Sequence, residues 1–259
     1  MTGLLEGKVV AITGASSGIG HATALECAKN GAKVLIHHLG TEITRTDAEK
    51  LQTDLISLYN APSVVFAADL TDDGAAKELI HLVVSTFGRL DVLVNNAGIC
   101  LPSSVESVTR PMLQRHVDIN FTAVYMLTQA ATQQMINQGH GGSIITVSSN
   151  TSITGVTGLT HYSGTKAGLL GMTNTFAVEC GRHGIRYNCV LPGPTETMMI
   201  QDFVKEEHDR ENMVQKIPLG RLGKPEDLAG VIVFFASDMS EYVSGQHLLV
   251  DGACSHYFM

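Results

Sequence analysis

The sequence predicts an α/β fold, a doubly wound seven-stranded parallel sheet with helices on both faces. Two observations carry this expectation. Short β-branched runs alternate with helical stretches along the whole chain. The runs are also nearly continuously apolar, as strands are when both of their faces are covered. No Pro/Ser-rich linker, repeat or composition break divides the 259 residues. That length can bury a sizeable core, so residues 1–259 are expected to form one domain.

In chain order, strands are expected at Lys8–Thr13, Lys33–His37, Ser63–Ala68, Asp91–Asn95, Ser143–Ser148, Ile185–Leu191 and His247–Val250. Helical stretches fall between them near 18–29, 44–59, 74–87, 110–137, 161–180 and 225–236. One compositional feature stands out: from Ile119 to Thr165 there is no Asp, Glu, Lys or Arg. A surface helix normally carries charge on its outer side. The helix within Asp118–Gln138 is therefore expected to be covered, in part by another subunit, in a contact that the apolar Val231–Ala236 helix and the C-terminal tail to Met259 are expected to share.

Charge and cysteines narrow the function classes. Seventeen Lys+Arg stand against 25 Asp+Glu, a formal net charge of −8 with no basic run. Neither a nucleic acid nor an anionic membrane is a natural partner for such a chain. Met1 leads within nine residues into a Val-Val-Ala-Ile strand, which is not a secretory leader, and the longest apolar stretch, Val231–Ala236, is too short for a bilayer. Cys27, Cys100, Cys180, Cys189 and Cys254 show no CxxC or metal-ligand spacing. They read as reduced, mostly buried thiols of a cytoplasmic protein with no metal site.

Thr13-Gly14-Ala15-Ser16-Ser17-Gly18-Ile19-Gly20 follows the first strand directly and opens the first helix. Gly14 permits the tight turn, Gly18 lets backbone approach a pyrophosphate, and Gly20 lets helix and sheet pack closely. The helix start then offers free N–H groups and a positive dipole end to an anion. A Gly-rich turn can do no more than join a strand to a helix, but this position favours a dinucleotide. A Walker-type loop is excluded, since no Lys-Ser or Lys-Thr follows.

Tyr162 and Lys166 lie four apart on a helix, so they share one face. A phenol titrates near ~10, and a neighbouring ammonium pulls it towards neutrality, where a general acid–base works best. Alone, such a pair is as readily a half-buried Tyr beside a solvated Lys.

In company, these motifs resemble the short-chain dehydrogenase/reductase family of the classical type. The resemblance rests on TGASSGIG, on Asn95-Asn96-Ala97-Gly98 after the fourth strand, and on Tyr162-Ser163-Gly164-Thr165-Lys166. Ser149 lies thirteen residues before the tyrosine, Pro192-Gly193 follows the sixth strand, and Val250-Asp251-Gly252 lies near the end of the chain.

The resemblance implies a Rossmann-like fold, a substrate lid at about 194–217, and an NAD(P)-dependent exchange between a secondary alcohol and a carbonyl by hydride transfer. It makes Tyr162 the proton-exchanging group and gives Ser149 a hydrogen bond to the substrate oxygen. It puts Lys166 on the nicotinamide ribose and Asn120 on a water that links Lys166 to solvent. Gly14, Ser16, Ser17, Gly18, Ile19 and Gly20 would hold the pyrophosphate. Asp69 and Leu70 would meet the adenine, against the plainer reading of Asp69 as a helix-cap residue. Asn96, Ala97 and Gly98 would lie beside the adenosine ribose, with Asn95 structural. Pro192, Gly193, Thr195 and Thr197 would hold the carboxamide and pyrophosphate. A homotetramer is the usual assembly in this family.

Selective use of NAD usually needs an acid at the end of the second strand. Here His38 stands in that place, and Ser17 stands where many NADP users carry a basic residue. The missing acid favours NADP(H), with NAD(H) as the alternative.

Thr160-His161-Tyr162, Thr165-Lys166-Ala167-Gly168 and Leu248-Leu249-Val250-Asp251-Gly252 look most similar to L-rhamnose and related sugar 1-dehydrogenases. Thr151–Leu159 and Pro194–Ile200 depart from them, and Met198, Met199 and Ile200 suit a less polar carbonyl. A fungal-type ketoreductase of secondary metabolism is therefore a rival to a sugar enzyme. A catalytically silent dinucleotide-binding module is a third reading, against which the retained Ser149, Tyr162, Lys166 and Asn120 speak.

Overall fold

The computed structural model of the chain describes residues 3–204 and 206–256. Seven strands form one parallel sheet: β1 Val9–Ile12, β2 Lys33–His38, β3 Ser63–Ala67, β4 Val92–Asn95, β5 Gly142–Val147, β6 Ile185–Pro192 and β7 Gln246–Val250. Their order across the sheet is β3-β2-β1-β4-β5-β6-β7. The chain winds outward from β1 in one direction and then in the other from β4. The carboxyl ends of these two neighbours therefore flank the crevice where ligands of doubly wound folds bind.

Period-2 alternation divides the strand residues between two cores. Val10, Ile12, Val34, Ile36, Val92, Val94, Ile145 and Val190 point to one face. There they meet α1 (Gly18–Lys29), α2 (Glu42–Tyr59) and α8 (Pro225–Ala236). Val9, Ala11, Leu35, Leu93, Ile144 and Tyr187 point to the other. There they meet α3 (Ala75–Phe87), α5 (Ala123–Gln138) and the end of α6 (Thr160–Cys180).

The helix expected over 110–137 is broken into three parts: α4 (Arg110–Val117), a π turn at Asp118–Thr122, and α5. Its start follows local rules, since Thr109 Oγ1 accepts the Met112 N–H at 3.4 Å and Pro111 lies in the first turn. The π turn has no sequence signature; such turns appear mostly inside helices and often at functional sites. A further helix, α7 (Glu207–Val214), lies within the expected lid.

Two expectations about surfaces divide. The outer face of α5 (Tyr125, Met126, Gln129, Gln133 and Asn137) is exposed and uncharged. On α6, Val178 is 87% exposed. By contrast, Ile232, Val233, Phe235 and Ala236 of the apolar run Val231–Ala236 are buried within the chain's own core. That run needs no second subunit. The tail beyond His256, which was expected to share in a subunit contact, lies outside the described residues. Among the described residues, no helix is long and apolar enough to cross a membrane, and no cluster of His, Cys, Asp and Glu has a metal-binding arrangement.

Candidate active site

A cavity of about 1250 Å³ opens at the carboxyl ends of the strands. Its floor is the turn from β1 into α1. Gly14 has φ +61°, and a Cβ there would lie 3.0 Å from Ala97 Cα. The turn is tied from two sides. Asn96 Nδ2 donates to the carbonyls of Thr13 (2.8 Å) and Gly14 (3.0 Å), while Thr13 Oγ1 accepts the N–H groups of Asn96 (2.9 Å) and Ala97 (3.0 Å). From the other side, His37 Nδ1 accepts the Gly14 N–H at 3.1 Å, and His37 Nε2 donates to Ala68 O at 3.0 Å. Gly14 can only donate, so this imidazole is the neutral Nε2–H tautomer. Burial holds its pKa down to about 4, against a weaker upward pull from the Ala68 carbonyl.

The start of α1 fits an anion. Ser17 is its N-cap, yet the Ser17 side chain accepts no bond from the helix, so the first-turn N–H groups keep their capacity for a ligand. Gly20 is a packing residue: its Cβ would fall 2.4 Å from Gly14 O and 2.5 Å from Asn96 Nδ2.

Ser149 lies two residues beyond β5, and Tyr162 and Lys166 stand on α6. Ser149 Oγ accepts the Thr151 N–H (3.2 Å) and the Thr151 hydroxyl (3.0 Å), which leaves its own proton to donate outward. Tyr162 is buried against Cys100 and Leu159. Burial pushes its phenol well above the ordinary range, Cys100 adds to this, and the Ser149 hydroxyl pulls the other way. Lys166 Nζ donates to Val147 O at 3.0 Å and sits 5.8 Å from the Tyr162 ring centre. Burial brings Lys166 down to about 8. The sequence led to the expectation of a phenol lowered by its lysine. In the folded chain burial is the largest influence on the phenol and raises it.

Most of the expected site residues converge on this cavity. Its wall includes Gly14, Ser16, Ser17, Gly18, Ile19, Asp69, Leu70, Asn96, Ala97, Gly98, Ser149, Tyr162, Lys166, Pro192, Gly193, Thr195 and Thr197. Asp69 Oδ1 is occupied by Thr71, which donates its N–H (2.9 Å) and hydroxyl (2.7 Å) and lowers the carboxyl's pKa.

Gly20, His38 and Asn120 are not on the wall. His38 turns to α2, where its Nδ1 accepts the Gly40 N–H (3.1 Å) and meets Thr44 Oγ1 (3.2 Å). The wall at this strand end is made by His37, Leu39 and Thr44 instead. Asn120 is fully buried behind Gly98, its side chain spent on the backbone of Ile99 and on Thr165 Oγ1.

Sequence reasoning missed His37 as the lock of the turn, Thr151 as the partner of Ser149, and the tail residues Cys254 and Ser255, which also line the cavity. Only Thr151 had a local clue, its place two residues after the serine. The others reach the site from distant parts of the chain.

Residues 14–255 match the family model described as enoyl-(acyl carrier protein) reductase. The chain is 45% identical over 249 residues to an L-rhamnose 1-dehydrogenase (NAD(P)(+)) of Azotobacter vinelandii, covering 96% of this chain and 97% of the relative. It is 43% identical over 252 residues to an L-rhamnose-1-dehydrogenase of Scheffersomyces stipitis, covering 97% of each. The crystal structure of a putative short-chain alcohol dehydrogenase from Sinorhizobium meliloti 1021 superposes with a TM-score of 0.92 at 32% identity, covering 98% of each chain.

His37 gives this site a pH dependence. Its folded pKa of about 4 lies below the ordinary histidine value of 6.5, so the unfolded chain takes up the proton first. The contribution is whole above pH 6.5 and is lost as pH falls towards 4, about 3 kcal/mol in all. Thermal midpoints measured between pH 7 and pH 4.5 should fall less steeply for His37→Asn than for the wild type, since the amide accepts the Gly14 N–H without titrating. Parallel slopes would show that His37 does not carry the effect.

Proposed function

The chain belongs to the short-chain dehydrogenase/reductase family, and on that premise we propose that it oxidises a sugar at a hydroxyl-bearing carbon, with Tyr162 exchanging the proton. It is an NAD(P)-dependent oxidoreductase interconverting a secondary alcohol and a carbonyl by hydride transfer. The observation that carries the site assignment is the convergence of Ser149, Tyr162 and Lys166 on one wall of the cavity. The sugar reading is supported by the two L-rhamnose dehydrogenase relatives. It is also supported by the polar end of the cavity, where Asn150 Nδ2 donates to Ser255 Oγ at 3.3 Å beside Thr151.

The nicotinamide ring supplies the hydride acceptor or donor. The chain's own residues do the rest. Ser149 donates its free proton to the substrate oxygen and holds that oxygen at the Tyr162 hydroxyl. As the phenolate, which the Ser149 hydroxyl favours, Tyr162 takes the proton as the alcohol is oxidised, and as the phenol it returns that proton in the reverse direction. Lys166 binds the ribose and places a positive charge beside the phenol. Asn120 acts one layer behind, by fixing the backbone of Ile99 on the cavity wall. The open N-terminal turn of α1 receives the pyrophosphate.

A second reading, a ketoreductase of a larger and less polar carbonyl compound, is favoured by one observation. The lid presents Met198, Met199, Ile200, Phe203 and Met213 to the cavity. Turnover measured on a panel of sugars and ketones separates the two. Among the described residues the five cysteines form no disulfide, and four of them are buried, which suits a reducing cytoplasm.

Tyr162→Phe should cut turnover by at least ~10²-fold, the scale of a general acid–base group, while cofactor affinity holds. Ser149→Ala should lower turnover with little change in cofactor binding. Lys166→Met should lower both, because the ammonium serves ribose and phenol alike. Near-normal turnover by Tyr162→Phe would place the proton donor elsewhere.

NADP(H) is the proposed preference, supported by the lack of a carboxylate at His37, Leu39 and Thr44 on the wall. Fluorescence titration should give the tighter constant for NADPH. His38→Asp should move the preference towards NADH, since it sets a carboxylate against Thr44. Tighter NADH binding by the wild type would refute this preference.

A homotetramer is proposed from the uncharged outer face of α5 and the exposed Val178 of α6. Light scattering at micromolar concentration should find an assembly. A monodisperse monomer would contradict it.

A further inference from the structure

Residues 99–101 follow β4 after its last paired residue, so their backbone groups have no strand to bond. Side chains take that place. Asn120 Oδ1 accepts the Ile99 N–H and Asn120 Nδ2 donates to Ile99 O, both at 2.9 Å. Two residues on, His116 Nε2 accepts the Leu101 N–H at 3.3 Å, and His161 Nε2 donates to Leu101 O at 2.9 Å. Both imidazoles are buried and meet edge to face, with centroids 4.4 Å apart. His116 Nδ1 donates to Met112 O at 2.8 Å, one turn back in α4, so Nε2 must be the acceptor.

What the histidines hold is a backbone position. The Leu101 side chain is 44% exposed, so anchoring it buries little apolar surface. The arrangement also leaves His161 Nδ1 buried without a partner, a cost that two apolar residues would avoid. The gain lies one residue earlier. Ile99 and Cys100 form the cavity wall, and Cys100 packs on Tyr162. His161 is the residue immediately before Tyr162, so one short stretch of α6 carries both the phenol and a bond to the segment facing it.

We propose that His116 and His161 are positioning residues for the reaction: by taking both backbone groups of Leu101, they set the Ile99–Cys100 wall against Tyr162 and so fix where the substrate oxygen lies. This rests on the assignment of Tyr162 as the proton-exchanging group. Neither histidine lines the cavity. Displacing a wall beside the reacting oxygen by about an ångström can cost rate on the order of 100-fold.

The test compares His161→Leu, His161→Gln and His161→Asn with Tyr162→Phe, measuring kcat, substrate KM, NADPH affinity and thermal midpoint. The Leu variant should lose kcat/KM on the order of 10- to 100-fold, with a raised substrate KM and unchanged NADPH affinity. The Gln variant should recover most of this loss, since its amide N–H can reach Leu101 O. The shorter Asn should not. His116→Gln, whose side-chain carbonyl can accept the Leu101 N–H, should likewise outperform His116→Leu.

A folded His161→Leu with wild-type kcat and KM would overturn the proposal. So would equal activity in the Gln and Asn variants, a comparison that remains available if the Leu variant does not fold. If Tyr162→Phe is inactive while the histidine variants are normal, only this inference fails. If Tyr162→Phe is active, the acid–base assignment fails first.

Discussion

Asn96 donates to the carbonyls of both Thr13 and Gly14, while His37 receives the Gly14 N–H from the opposite side. Much of the site depends on that double restraint. It fixes the turn between β1 and α1, which in turn sets where the first N–H groups of α1 point. Asn96 leaves β4 and His37 lies on β2, the two neighbours of β1 in the sheet. The phosphate turn is thus anchored to the strands on either side of it. The geometry needed to hold an anion follows from strand order, and one neutral imidazole is part of the anchor.

The same economy of backbone restraint recurs around the acid–base group. Thr151 holds Ser149 from behind, Asn120 holds Ile99, and the paired imidazoles hold Leu101. Each is a buried polar side chain bonded to backbone or to a neighbouring hydroxyl, and together they surround a buried phenol. Burial raises Tyr162 and lowers Lys166, so both shifts are costs of taking the pair out of water, and the Ser149 hydroxyl is the group that favours the phenolate.

Most of the fold was legible before any coordinates. Alternating periods placed all seven strands to within a residue or two at each end and identified six helical stretches, since a doubly covered parallel sheet writes its burial into continuous apolar runs. The π turn at Asp118–Thr122 was not legible, because a single wide turn inside a helical stretch has no residue signature of its own. Nor was α7, a short helix in a polar stretch whose capping box uses Glu206 in place of the commoner Ser or Thr and Asp209 in place of Glu or Gln. His38 illustrates a finer limit. Sequence position put it at the strand end facing the cofactor, but its imidazole found Gly40 and Thr44, and His37 took the place on the wall.

By itself the sequence determined the fold class and the glycine turn after the first strand, and through its family resemblance it pointed to the Ser149, Tyr162 and Lys166 set. The first two are written in short-range patterns: continuous apolar runs in strands and glycines at fixed steps in a turn. Tertiary structure alone decided which imidazole locks the turn, what stands behind Ser149, how the tail reaches the cavity and which way burial shifts the phenol. These depend on residues far apart in the chain meeting at one place, and on how much water that meeting excludes. Local spacing carries no record of either.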